Sequence, residues 1–138
     1  MNNPYSARNE VKIKQLRPQL QPKVLHIVQQ LAALGYAPVV AEAKRTKAQQ
    51  AEKVKKGYSK TMRSYHLIGM AADIVNHPHY WDGPASKKDY PFWADYGALV
   101  EKEGLTWGGR WRFWDPAHLQ MDLTKVDYNK YLHEELQT

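Results

Sequence analysis

The 138-residue sequence has no cysteine, only two phenylalanines and no long apolar run. Without cysteine there is no disulfide framework, no Cys-rich zinc module and no thiol nucleophile. Any metal site must be built from His and carboxylate, and any hydrolysis must run through these, a hydroxyl or a metal. No segment approaches the roughly 18 consecutive apolar residues of a membrane span. The start, Met1 to Arg8, also lacks the apolar stretch of a secretory signal. The expectation is a product made in the cytoplasm, as one domain over residues 1–138.

What the chain does carry is 20 Lys+Arg against 14 Asp+Glu, a net charge of +6. The distribution is lopsided: residues 1–70 hold 13 cations and three acids, residues 71–138 seven cations and eleven acids. A basic half suits a polyanionic partner such as nucleic acid, an anionic membrane or a wall polymer, and it equally suits a solvated helical face.

Apolar spacing predicts a short helix after Val11, a break at Pro18, and a helix from about Pro22 to Leu34, stopped by Gly35. Residues 37–43 read as a strand, and Thr46 as the N-cap of a helix ending at Gly57. Met70–Val75 reads as a short buried strand, Phe92–Glu103 as a helix, His118–Leu123 as the closing strand, and the tail from Asp127 as a short helix. Helices and short strands without a βαβ repeat predict an α+β domain, with a short, mostly antiparallel sheet flanked by helices.

Three pieces carry chemistry: Ser64 to Asp73, Asp115-Pro-Ala-His118, and Arg45 with Gln49. Singly each is weak, because a lone buried His is more often a satisfied core residue. Together, His66, Asp73 and His118 supply two imidazoles and a carboxylate, the ligand count of a catalytic zinc that keeps a position open for water. Gly69, between His66 and Asp73, permits a close approach or a positive φ that folds the chain back. Asp115 precedes proline, which disfavours the α conformation, so a turn presents Asp115 beside His118 as the candidate general base. Arg45 follows a strand, where a guanidinium can bind a carboxylate or an oxyanion. Gln49, one helical turn on, is expected on the same side. The His77-Pro-His79 pair lies in a turn-rich excursion and is expected at the surface.

Ser64-x-His66-x-x-Gly69-x-Ala71-Ala72-Asp73 followed by Asp115-x-x-His118 resembles the zinc peptidases that cut peptidoglycan stem peptides. These comprise D-Ala-D-Ala carboxypeptidases and dipeptidases and the phage L-alanyl-D-glutamate endopeptidases, with a fold shared by lysostaphin-type peptidases and the hedgehog domain. The resemblance runs from about Leu16 to Met121, including Lys44-Arg45-Thr46-x-x-Gln49, Gly57 and Gly104–Trp111. It implies one catalytic Zn2+ on His66, Asp73 and His118, with Asp115 as acid/base and Arg45 as the group that stabilises the tetrahedral intermediate. It further implies that Ser64, Gln49 and Trp111 face the substrate, Trp111 having a core position as its alternative. Asp115, where the dipeptidase branch carries Glu, leans toward the endopeptidases.

The expectation is therefore a monomeric phage-type endolysin without a separate wall-binding domain, released to the periplasm or wall by a holin. Its partners would be the stem peptide and an anionic wall or outer-membrane surface. The alternatives are a D-Ala-D-Ala carboxypeptidase, a non-catalytic wall binder, or a nucleic-acid binder. Against the last, ten of the sixteen aromatics lie between Tyr80 and Trp114, apart from the eight cations of residues 44–63.

Overall fold

Apolar residues at helical spacing set the first layer. A computed structural model describes residues 3–59 and 61–136, so Lys60 of the basic loop lies outside the described residues. Helix α1 (Ser6–Lys14) and helix α2 (Gln21–Ala33) are separated at the proline-bearing break. Val24, Ile27, Val28 and Leu31 of α2 are buried together, as the three-and-four spacing requires. Strand β1 (Pro38–Glu42) follows, then helix α3 (Lys47–Lys55), strand β2 (Ala71–Asn76), helix α4 (Pro91–Lys102), strands β3 (Thr106–Trp107) and β4 (His118–Gln120), and helix α5 (Lys125–Leu136).

The four strands form one sheet in the order β1-β2-β4-β3, and every neighbouring pair is antiparallel. All six residues of β2 are buried, because it is a central strand covered on both faces. Phe92, Trp93, Tyr96 and Val100 of α4 join α2 and the sheet in one core. The α+β expectation holds.

Two expected boundaries move. The closing strand ends at Gln120 rather than Leu123, because Gln120 pairs with Ala71 on one side and Thr106 on the other. Both neighbours begin there, so the ladder has no further partner. The first helix starts at Ser6, ahead of the expected Val11, because the buried Asn9 side chain donates to the Pro38 carbonyl at 2.9 Å and accepts the Val40 N–H at 2.8 Å. The terminal helix forms as expected, docked through Tyr128, which is buried with its ring stacked on Tyr65 at 5.0 Å.

The acidic tail also answers part of the basic half. Arg17 lies 3.1 Å from both Glu134 and Glu135, and Lys44 lies 2.6 Å from Glu135. No helix among the described residues is long and apolar enough to cross a membrane.

Candidate active site

The site grows from three local devices. The first is the turn Tyr65–Ile68, capped by Ser64, whose Oγ accepts the His66 N–H at 3.2 Å. Gly69 ends this turn with φ +69, a conformation costly to residues with a Cβ, and its carbonyl receives the Arg17 N–H at 3.0 Å. The chain thereby reverses from His66 into β2, which carries Asp73.

The second device is strand pairing. Asp73 of β2 stands opposite His118 of β4, so the register itself brings the carboxylate to the imidazole. The third is the turn before β4. His118 N donates to the Asp115 carbonyl at 3.2 Å, and Asp115 N donates to the Gly108 carbonyl at 3.0 Å. Gly108 is required by space: a Cβ there would lie 2.4 Å from the Asp115 carbonyl oxygen and 3.1 Å from the His118 Cβ.

His66, Asp73 and His118 converge, each offering a donor atom within 4.8 Å of the other two, and all three are buried. His118 Nδ1 lies 3.2 Å and His66 Nε2 3.4 Å from the same oxygen, Asp73 Oδ1. The far nitrogens fix the tautomers. His66 Nδ1 is 2.7 Å from the Ala43 carbonyl, which can only accept, and His118 Nε2 is 2.9 Å from Gln120 Oε1. With those nitrogens protonated, each imidazole turns a lone pair toward the carboxylate. Three lone-pair donors facing one point in a buried setting need a positive charge between them. The donor set therefore fits a metal ion, and these three residues can hold one.

The electrostatics agree. Burial pushes the Asp73 carboxyl up, but the two imidazoles outweigh it and hold it well below the usual range. Burial lowers the proton affinity of His118, and its bond to Asp73 more than restores it. Both directions express a cage that prefers a cation beside Asp73. Asp115 stands at the rim, its side chain 39% exposed and its Oδ2 3.9 Å from His118 Nδ1. Burial, followed by the Asp73 charge, raises its carboxyl above the ordinary value.

A cleft of about 730 Å3 opens over these groups. Arg45, Ser64 and Trp111 line it with the three buried donors and Asp115. Trp111 is not core: it is 36% exposed and rests against His118 at 5.1 Å between ring centroids. Arg45 is buried and held by Glu42 at 2.7 and 3.3 Å and by Gln50 at 2.5 Å. Three of its five N–H groups are engaged, which leaves two for a further acceptor.

Gln49 stands elsewhere. Its side chain accepts the Thr46 N–H at 2.8 Å and closes the capping box of α3, exposed and outside the cleft. Its neighbour Gln50 is the buried one that touches Arg45. The helix phase explains the displacement, because the capping box consumes the third position of the first turn. Sequence reasoning also missed Glu42, Gln50 and Gln120. Gln120 was legible in principle, since it lies two residues from His118 and so on the same face of a strand.

His77 is exposed and bonded to the hydroxyls of Tyr5 and Tyr80 at 2.8 and 3.0 Å, and His26 pairs with Glu103.

Residues 57–121 match the family model described as D-alanyl-D-alanine carboxypeptidase. The L-alanyl-D-glutamate peptidase of Listeria phage A118 is 33% identical over 126 residues, 88% of this chain. The chain spans 43% of the length of that relative. The L-Ala D-Glu endopeptidase ChiX of Serratia marcescens is 30% identical, with a TM-score of 0.59 over 88% of this chain and 90% of its own. The chain belongs to this family of zinc peptidases. The family fold extends to VanYB, whose structure in complex with D-Alanine-D-Alanine gives a TM-score of 0.56 at 18% identity over 89% of this chain.

Proposed function

We propose that this protein hydrolyses the L-Ala–D-Glu bond of peptidoglycan stem peptides, with a zinc ion on His66, Asp73 and His118. The observation that carries the reading is the convergence of these buried donors, tautomers fixed, beside a half-buried carboxylate and a buried guanidinium in one cleft. When bound, such an ion supplies Lewis acidity toward a carbonyl and lowers the pKa of water toward about 7.

The chain's own groups do the rest. Asp115, raised and at the rim, accepts a proton from the attacking water at its carboxylate and returns it to the leaving D-Glu nitrogen. Arg45, fixed by Glu42 and Gln50, directs its remaining N–H groups at the oxygen where negative charge develops. Ser64 holds the His66 turn and is not a nucleophile. The bond assignment draws on the phage A118 and Serratia relatives, both L-Ala-D-Glu peptidases at 33% and 30% identity.

A second reading, removal of the terminal D-Ala, is favoured by the family model that matches residues 57–121. Mass spectrometry of fragments released from purified sacculi separates the two. The expected product is a stem peptide with a new N-terminal D-Glu, lost with a chelator and restored by zinc; free D-Ala as the product would establish the second reading.

The wall is reached, in this reading, through exposed cations of the first half that the acidic tail leaves unpaired. Lysis should then slow as salt rises, since exposed charges are screened over about 8 Å at physiological ionic strength. A salt-independent rate would remove the electrostatic guide.

A further inference from the structure

The cleft has two chemically different sides. Segments that follow β1 supply cations: Arg45 precedes α3, and Arg63 lies in the loop beyond it. Arg63 stacks on Tyr128 at 4.8 Å and bonds to the Asn129 amide, so its charge meets no carboxylate among the described residues. The segments after β2 and before β4 supply uncharged rings instead, Trp81 and Trp111. In the sheet order the metal-holding residues of β2 and β4 lie between the β1 edge and the β3 edge.

Trp81 is 46% exposed within the cleft. Trp93 and Trp107 give their indole N–H to backbone carbonyls at 2.8 and 2.7 Å, whereas that of Trp81 meets no acceptor among the described residues. The residue before it is Tyr80, with φ +58, a left-handed conformation that a bulky side chain adopts only under constraint. The constraint is visible: the Tyr80 hydroxyl is tied to Tyr5 at 3.1 Å and to His77 at 3.0 Å. Backbone strain of this kind persists where the surroundings over-determine it, and here it fixes the direction in which Trp81 leaves the chain.

We infer that Trp81 is a platform for the pyranose ring attached to the amino side of the substrate. This rests on the L-Ala–D-Glu reading. In that substrate the first residue beyond the scissile nitrogen, D-Glu, carries a carboxylate, and everything before that nitrogen is L-Ala joined through a lactyl group to an N-acetylated sugar. The D-Glu carboxylate belongs beside Arg63, because the charge of Arg45 is already met by Glu42, and this turns the sugar half toward the rings. A pyranose presents an apolar C–H face that packs on an indole face, and its hydroxyls can take the free indole N–H. Trp81 is thus a specificity residue and takes no part in the proton transfers.

The test is equilibrium binding to the zinc-loaded protein of two fragments without a scissile bond: a disaccharide-lactyl-L-Ala and the sugarless lactyl-L-Ala. The sugar-bearing fragment should bind about fivefold tighter or more, as one stacked ring supplies. Trp81→Ala should level the two affinities, and Trp81→Phe should keep most of the preference. Equal affinities in the wild-type protein, or a preference that survives Trp81→Ala, would overturn the inference. The fragments carry no L-Ala–D-Glu bond, so their binding is read separately from the sacculus digest. Failure of that digest removes the bond assignment and leaves the sugar preference to stand or fall on its own measurement.

Discussion

His118 and Gln120 project from the same face of β4, and the imidazole Nε2 of the first donates to the amide oxygen of the second at 2.9 Å. This bond, two residues along one strand, sets which nitrogen of His118 faces Asp73. Replacing Gln120 with Leu keeps the volume and removes the acceptor. Metal affinity should fall about 10–100-fold, the usual effect of losing a partner behind a ligand. Competition against a chromophoric chelator reads it directly, and an unchanged affinity would mean that the ring is oriented by packing alone.

Asp115 stands beside the donor set without belonging to it, so its removal should separate binding from chemistry. Asp115→Ala should still take up one zinc per chain, while hydrolysis falls by about 10²–10⁴. Metal content by mass spectrometry and turnover on sacculi are the two readings. Because burial and the Asp73 charge raise its carboxyl, the basic form of Asp115 is lost at a higher pH than an ordinary aspartate's. An NMR titration of the metal-free protein should show this raised carboxyl, and an ordinary aspartate value there would count against it.

Gly108 is held without a side chain by contact. A methyl group placed there would meet the Asp115 carbonyl oxygen at 2.4 Å, and that atom is backbone. Gly108→Ala must shift the turn that aims both Asp115 and His118. A stability loss of about 1–3 kcal/mol is expected from overpacking, with a fall in turnover alongside it. Thermal unfolding and the sacculus digest measure the two effects, and a fully active variant would show that the turn yields freely.

Tyr36 reports on the core away from the site. Its hydroxyl donates to Asp95 at 2.6 Å, and burial together with that bond pushes it from 10.0 to about 12. A phenol with a raised folded value stabilises fully below the unfolded value and loses this as the pH rises through the folded one. Alkaline unfolding should therefore steepen between pH 10 and 12. In Tyr36→Phe that portion of the loss should be absent, which denaturant titrations across the range can check.

Most elements were legible because their signals are local. The α2 stripe, Thr46 as a cap and the run Met70–Val75 each need only a few neighbouring residues to be read. The two boundaries that moved depend on partners distant in sequence. The end of β4 is set by where β2 and β3 begin, and the start of α1 by the bonds of Asn9 to Pro38 and Val40. Gln49 shows the same limit within one turn of helix. Sequence spacing put it near Arg45, but the capping box claimed its side chain and left Gln50 facing inward.

By itself the sequence determined the kind of chemistry. With no cysteine, a metal site had to use His and carboxylate, and His66, Asp73, His118 and Asp115 stand in one recognisable order. The tertiary structure alone decided how those groups are poised. Ala43 and Gln120 choose the tautomers, Glu42 and Gln50 hold Arg45, and Glu134 and Glu135 draw off part of the basic charge. The physical reason is range. Residue type and spacing are properties of a segment, whereas a lone pair's direction or a cation's free charge depends on whichever groups the fold brings within about 3 Å.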